Sequence, residues 1–150
     1  MGNLVFLGEP SASVKSWIEN RRKNGPLCFT AVDAGATVAL STSSSLTMPN
    51  LDISYDRRNW IDYEAGTTIH LDSVGDKVYM RAKSDNYNAF MGGTCRISMT
   101  DDKRISASGN AISLLINNGD FSNYMLPTDC FRNLFENCHS LTTAPELPIS

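Results

Sequence analysis

Residues 51–82, LDISYDRRNWIDYEAGTTIHLDSVGDKVYMRA, carry the pattern that decides the fold. Apolar and polar residues alternate through Leu51–Tyr55 and again through Val78–Arg81, which is the period of a half-buried β-strand. Turn-forming residues separate the apolar runs at Asp56–Asn59, Glu64–Gly66 and Val74–Asp76. The stretch therefore predicts short strands joined by tight turns.

The same pattern continues on both sides of this stretch. Eight strands are predicted at Leu27–Val32, Thr37–Leu40, Leu51–Tyr55, Trp60–Tyr63, Thr67–Leu71, Lys77–Ala82, Cys95–Thr100 and Arg104–Ala107. Short strands at such regular spacing are typical of an antiparallel sandwich or a small barrel. We therefore predict a mainly β chain with an antiparallel β-sandwich over residues 26–116.

The composition limits the classes of function. The chain has 150 residues, of which 41% are hydrophobic and 9% aromatic, enough for a real core. The net charge of −3 is spread along the chain, and the only short basic run is Arg21–Lys23. Nucleic-acid binding is disfavoured, because it needs a clustered cationic face. No stretch approaches the length of a membrane span.

The N-terminal residues 1–25 predict a short strand–helix element. Leu4–Leu7 has strand character, and a helix is expected from about Ala12 to Lys23, ended by Asn24–Pro26. Its narrow apolar stripe consists of Val14, Trp17 and Ile18. A short strand and helix cannot form a hydrophobic core of their own. We therefore expect this stripe to pack on the next domain or on a partner protein and to anchor the chain there.

The C-terminal residues 117–150 contain the second informative stretch, CFRNLFENCHSLTTAPELP at residues 130–148. Phe131, Leu134 and Phe135 have the i, i+3, i+4 spacing of one helical face. We expect a helix there, capped by Thr128 or Asp129, then an extended step at Ser140–Thr142 and a rigid proline-bounded exit.

This C-terminal stretch resembles one unit of the treponema-type leucine-rich repeat, found in surface and phage proteins of gut Bacteroidales. The resemblance is carried by Phe131, Leu134, Phe135, Cys138, Leu141, Ala144, Pro145, Leu147 and Pro148. The middle zone is similar to a β-sandwich module that precedes these repeats. It implies that Trp60 plugs the sheet, and it brings no catalytic activity with it. A single repeat unit is stable only when stacked on a neighbour.

Residues that could support catalysis or metal binding lack a recognisable arrangement. Two histidines, His70 and His139, and four cysteines without CxxC spacing do not predict a zinc site. Asp101–Asp102 is expected to be a turn, and the carboxylates at Asp52, Asp56 and Asp62 lack the context of a glycosidase pair. We predict no catalytic residue, no cofactor and no metal.

Residues 83–93 form the most plausible binding loop in the sequence. Tyr87 and Phe90 accompany Asp85, Asn86 and Asn88, a mixture that suits glycan contact because sugars stack on rings and hydrogen-bond to amides. The interpretation that we favour is that this is a long hairpin loop whose aromatic side chains fold back on the sandwich.

Taken together, these features predict a non-enzymatic structural protein of a bacteriophage virion, a head or tail fibre assembled in the bacterial host cytoplasm. Residues 1–25 would anchor it to capsid or tail proteins, and the C-terminal end would project toward a host surface glycan. The resemblance implies a homo-oligomer, in particular a trimer. The alternative is a Bacteroidales cell-surface adhesin, and the lack of an export signal at the N-terminus favours the virion.

Overall fold

The computed structural model describes residues 25–43, 47–116, 126–145 and 147. These ranges contain two β-sheets and one short helix, α1 (Tyr87–Phe90). The strands are β1 (Leu27–Ala31), β2 (Ala36–Thr42), β3 (Leu51–Ser54), β4 (Ile61–Tyr63), β5 (Ile69–Leu71), β6 (Lys77–Ala82), β7 (Cys95–Met99), β8 (Ile105–Ser108) and β9 (Leu141–Thr143). The chain is mainly β, as predicted.

The strands form one sheet of six and one of three. The order is β4-β3-β6-β1-β8-β9 in the six-stranded sheet and β5-β2-β7 in the three-stranded sheet. All eight predicted strands are present: five are one or two residues shorter than predicted, β6 has the predicted bounds, β8 is shifted by one residue, and β2 is three residues longer. The prediction works because period-two alternation reports directly which side of a strand is buried.

Strands β1 to β8, in the region predicted to be antiparallel, pair antiparallel throughout, and the predicted extended step at Ser140–Thr142 is present as β9, which is the exception. β9 pairs with β8 in parallel, with Ile105 opposite Leu141 and Ser106 opposite Thr143, so the six-stranded sheet is mixed. A parallel partner needs a long crossover, and the 32 residues from Gly109 to Ser140 between β8 and β9 supply it.

One buried apolar cluster contains side chains from both sheets. The six-stranded sheet contributes Phe29, Met80 and Ile105, and the three-stranded sheet contributes Leu40 and Ile97, all at most 1% exposed. At about 25 cal/mol per Å² of buried apolar surface, this cluster is the main source of stability. The other face of the six-stranded sheet is therefore left to polar and aromatic side chains.

Residues 127–138 form a series of turns, and the predicted helix is absent. Every second backbone N–H in this segment donates to the carbonyl three residues earlier in the chain. The first of these bonds runs from Cys130 to Pro127, and the last runs from Cys138 to Phe135. Asp129, Asn133 and Asn137 have positive φ values of 53°, 64° and 64°. Each left-handed residue breaks the helical path, and Asp and Asn adopt this conformation more readily than most residues.

The C-terminal segment (residues 126–145) contacts the edges of both sheets. The Ile97 amide of β7 donates to the Leu134 carbonyl at 2.6 Å, while β9 pairs with β8. Leu134 is buried, and the Phe135 ring meets the Phe29 ring edge-on at 6.3 Å between centroids. Leu141 and Leu147 are half-buried against the same core. The segment thus covers edges that would otherwise present unpaired backbone groups.

The predicted strand and helix of residues 1–24 lie outside the described residues, as do residues 117–125 of the predicted linker.

Candidate functional site: an arginine and aromatic surface on the six-stranded sheet

The loop between β3 and β4 is held by a single carboxylate. Asp56 accepts hydrogen bonds from the backbone amides of Arg58 and Asn59, each at 2.8 Å, and from the Ser54 hydroxyl at 3.0 Å. These bonds, first that from the Asn59 amide, hold the pKa of Asp56 below its usual value. The Ser54 hydroxyl accepts from the Arg57 amide at 2.8 Å. The loop therefore has a fixed shape.

Two cation–aromatic stacks join this loop to β6. The Arg57 guanidinium lies 5.4 Å from the centre of the Tyr79 ring, and the Arg81 guanidinium lies 3.8 Å from that of Trp60. In the first pair the loop supplies the cation and β6 supplies the ring. In the second pair the loop supplies the ring, Trp60, and β6 supplies the cation, Arg81. Tyr79 and Arg81 lie two residues apart on β6, so both point away from the core.

Five residues, Arg57, Arg58, Trp60, Tyr79 and Arg81, make up what we call the arginine–aromatic surface. Within the described ranges, no carboxylate is in ion-pair distance of its three guanidinium groups. Asp52 and Asp62 lie opposite each other on β3 and β4, and both pair with Lys83. Arg81 lies opposite Asp52 in the register of β3 and β6, so the surface places three guanidinium groups without an ion-pair partner beside two carboxylates that Lys83 bridges.

This arrangement is suited to binding anionic groups. A guanidinium stacked on a ring keeps its N–H donors in its own plane, where they can pair with a carboxylate in a bidentate manner. The Nε of Arg81 is buried and has no hydrogen-bond partner among the described residues.

The predicted glycan-contact loop is only partly at the surface. Phe90 is fully buried and packs edge-on against Phe131 with ring centroids 5.8 Å apart, so its prediction as a glycan contact is wrong. Tyr87, at the start of α1, is half-buried. The favoured interpretation, that the aromatic residues fold back, holds for Phe90. Asn86 explains the fold-back, because its side-chain amide donates to the carbonyls of Asn50 and Leu114.

The other residues considered for chemistry have structural roles or lie at the surface. Asp101 and Asp102 form the turn between β7 and β8, as predicted, and His70 and His139 are exposed. Cys28 and Cys95 are buried free thiols, as expected, and burial raises the pKa of Cys95. In the described part of the chain, no three His, Cys, Asp or Glu side chains cluster closely enough to hold a metal ion.

Trp60 does not plug the sheet as the resemblance implied. Its ring is half-buried on the outer face, where its indole N–H donates to the Arg57 carbonyl at 3.3 Å. Sequence reasoning did not single out Arg57, Tyr79 and Arg81. Two signals in the sequence could have identified them. One is the Arg57–Arg58 pair close to Trp60, and the other is the alternation along β6, which places Tyr79 and Arg81 on the face away from the core.

The proposed anchoring residues Val14, Trp17 and Ile18 lie outside the described residues. Among the helices of the described part, none is long and apolar enough to cross a membrane. Comparisons with protein-family models, with curated proteins and with solved structures found no match to this chain.

Proposed function

We propose that the chain is a non-enzymatic structural protein of a bacteriophage virion, a head or tail fibre. In this proposal the two sheets form a β-sandwich, and the C-terminal segment is the first unit of a leucine-rich repeat. Residues 1–25, with Val14, Trp17 and Ile18, anchor the protein to capsid or tail proteins. The opposite end is directed toward the host surface.

The position of the C-terminal segment is the observation that carries this proposal. β9 is an edge strand of the six-stranded sheet and runs parallel to β8. A repeat unit that adds a parallel strand to an existing sheet edge can be followed by further units, each adding one strand beside the last. Solenoids grow in this way, and an elongated fibre requires growth along one direction.

The use of the acidic side chains supports a structural role. Asp33 forms a two-bond ion pair with Arg104, with N–O distances of 2.9 Å for each bond, and Asp56 holds the β3–β4 loop. Asp52 and Asp62 are bridged by Lys83. Carboxylates committed to turns and ion pairs suit a rigid scaffold better than a general acid–base pair across a cleft.

Purified phage particles provide the test. Antibodies against residues 26–147 should label the particle, and mass spectrometry of washed particles should recover the chain. A chain lacking residues 1–24 should fold, with the same circular dichroism, but should not be incorporated. Recovery in the outer-membrane fraction of uninfected Bacteroidales cells would contradict the proposal and favour the alternative, a cell-surface adhesin. Labelling of particles by the truncated chain would contradict the anchor alone.

A further inference from the structure

We infer that the arginine–aromatic surface binds an extended acidic segment of a partner protein. The inference goes beyond the proposed function, since it assigns a binding site to a surface that the proposed function gives no role. It rests on the three guanidinium groups without a carboxylate partner in the described residues and on the fixed shape of the loop that presents two of them.

The spacing of the site fits a strand-like ligand. The Arg57 guanidinium is held over Tyr79, and Arg81 lies two residues further along β6. Two residues of a strand span about 7 Å. Carboxylates at alternate positions of an extended peptide have the same repeat, because successive side chains of a strand point to opposite sides. A peptide that runs along β6 would therefore have one carboxylate at the level of Tyr79, where Arg57 is stacked, and one at the level of Arg81.

The aromatic rings of the surface supply further contacts for the same ligand. Trp60 and Tyr79 are half-buried, and each stacks on a guanidinium group. Arg, Tyr and Trp are also the residue types that dominate the energetics of protein–protein contacts. The ligand is therefore expected to carry apolar residues next to its carboxylates.

The stacks disfavour a glycan at this surface. The rings of Tyr79 and Trp60, on which a sugar would stack, each have a face covered by a guanidinium group. A nucleic acid is disfavoured by charge, because phosphate tracking needs a longer cationic path than three arginines on a chain of net charge −3. An acidic peptide needs only the matched carboxylates and side chains that pack against the two rings.

The test uses the full chain and a fluorescein-labelled synthetic peptide of alternating Glu and Thr. Its fluorescence anisotropy should rise with protein concentration and fall as salt is added, since the contact is between exposed charges. The Arg57→Gln, Arg81→Gln double variant should weaken binding by at least about tenfold, the factor that corresponds to 1.4 kcal/mol. The Nε–H signal of Arg81 in a nitrogen-15 spectrum should shift on binding.

Three controls make the outcomes decisive. Arg96→Gln removes one charge from β7, in the other sheet, where Arg96 pairs with Glu136 at 3.6 Å, and should leave binding unchanged. Arg58→Gln removes an exposed charge of the surface itself and should weaken binding even if the double variant fails to fold. A peptide with Gln in place of Glu should not bind. Equal binding of the Gln peptide, equal loss in Arg96→Gln, or tighter binding of a polyuronate or an oligonucleotide would each overturn the inference.

Discussion

The Tyr63 hydroxyl accepts a hydrogen bond from the backbone amide of Leu40 at 2.9 Å and so joins the two sheets through the core. Tyr63 belongs to β4 of the six-stranded sheet, and Leu40 belongs to β2 of the three-stranded sheet. β5 pairs with β2 only as far as Val38, so beyond that point the Tyr63 hydroxyl and the Gly66 amide bond to Leu40 instead. The Tyr63 side chain thus bonds to the part of β2 that lies beyond the end of its pairing with β5.

Replacing Tyr63 by Phe should lower the free energy of unfolding by about 1–3 kcal/mol, because the buried amide of Leu40 loses its acceptor. Urea unfolding of the variant and of the parent chain measures the difference. Tyr55→Phe is the matched control, since Tyr55 is 54% exposed, and it should change stability by less than about 0.5 kcal/mol. Equal effects at the two tyrosines would show that the Tyr63–Leu40 bond adds nothing.

Adjacent glycines give a sharp test of how the C-terminal segment is held. Gly92 and Gly93 have φ values of 77° and 71°, so an alanine at either position carries a left-handed backbone penalty of about 1–2 kcal/mol. A Cβ at Gly93 would lie 2.6 Å from the Arg132 carbonyl oxygen, while a Cβ at Gly92 has no neighbour within 4 Å. Gly93→Ala should therefore be the more destabilising variant.

Amide exchange separates the two effects in these variants. Gly93→Ala should accelerate exchange at Leu134 and Cys138, because displacing Arg132 disturbs the turn series. Gly92→Ala should leave those amides at the exchange rates of the parent chain. Identical exchange in the two variants would mean that the Gly93–Arg132 approach does not hold the segment.

Stability should fall in acid through the Asp33–Arg104 pair. The hydrogen bond from the Arg104 guanidinium lowers the pKa of Asp33 from 3.8 to about 2 in the folded chain. A folded pKa below the unfolded one stabilises the fold above pH 3.8, and this contribution is lost as the pH falls toward 2. Asp56, whose pKa is lowered by the amides of Asn59 and Arg58, changes in the same direction.

Urea midpoints measured at several pH values provide the readout for Asp33. Asp33→Asn should be less stable than the parent chain at neutral pH, and its midpoint should decline less steeply between about pH 4 and pH 2. If the urea midpoint of Asp33→Asn falls with pH as steeply as that of the parent chain, other groups cause the loss of stability in acid. Asp101→Asn, at an exposed turn, serves as the control and should keep the parent slope.

Self-association follows from the fibre proposal. The purified chain should sediment as a species larger than a monomer, with a trimer as the expected state. Trimers should dissociate on dilution without loss of circular dichroism if each chain folds on its own. A monomer at high concentration would contradict the fibre interpretation while leaving the peptide-binding inference intact.

The strands were predictable and the turn series was not, for a physical reason. Alternation reports the buried face of β3 and β6 directly, whereas the i, i+3, i+4 spacing of Phe131, Leu134 and Phe135 fits both a helix and successive three-residue turns. Asp129, Asn133 and Asn137, spaced every four residues, were the sequence signal for left-handed breaks. Phe90 was misplaced because its burial depends on Phe131, 41 residues away in the sequence.

The contact of the C-terminal segment with both sheet edges has a consequence for synthesis on the ribosome. Until residues 126–145 emerge, β7 and β8 each have an edge without its native partner, and Phe29 and Phe90 lack the rings that pack against them. Unpaired edges and uncovered apolar side chains are the features that make partly synthesised chains aggregate. Productive folding of this protein therefore depends on residues 126–145, and nascent chains that stall before residue 126 should be bound by chaperones.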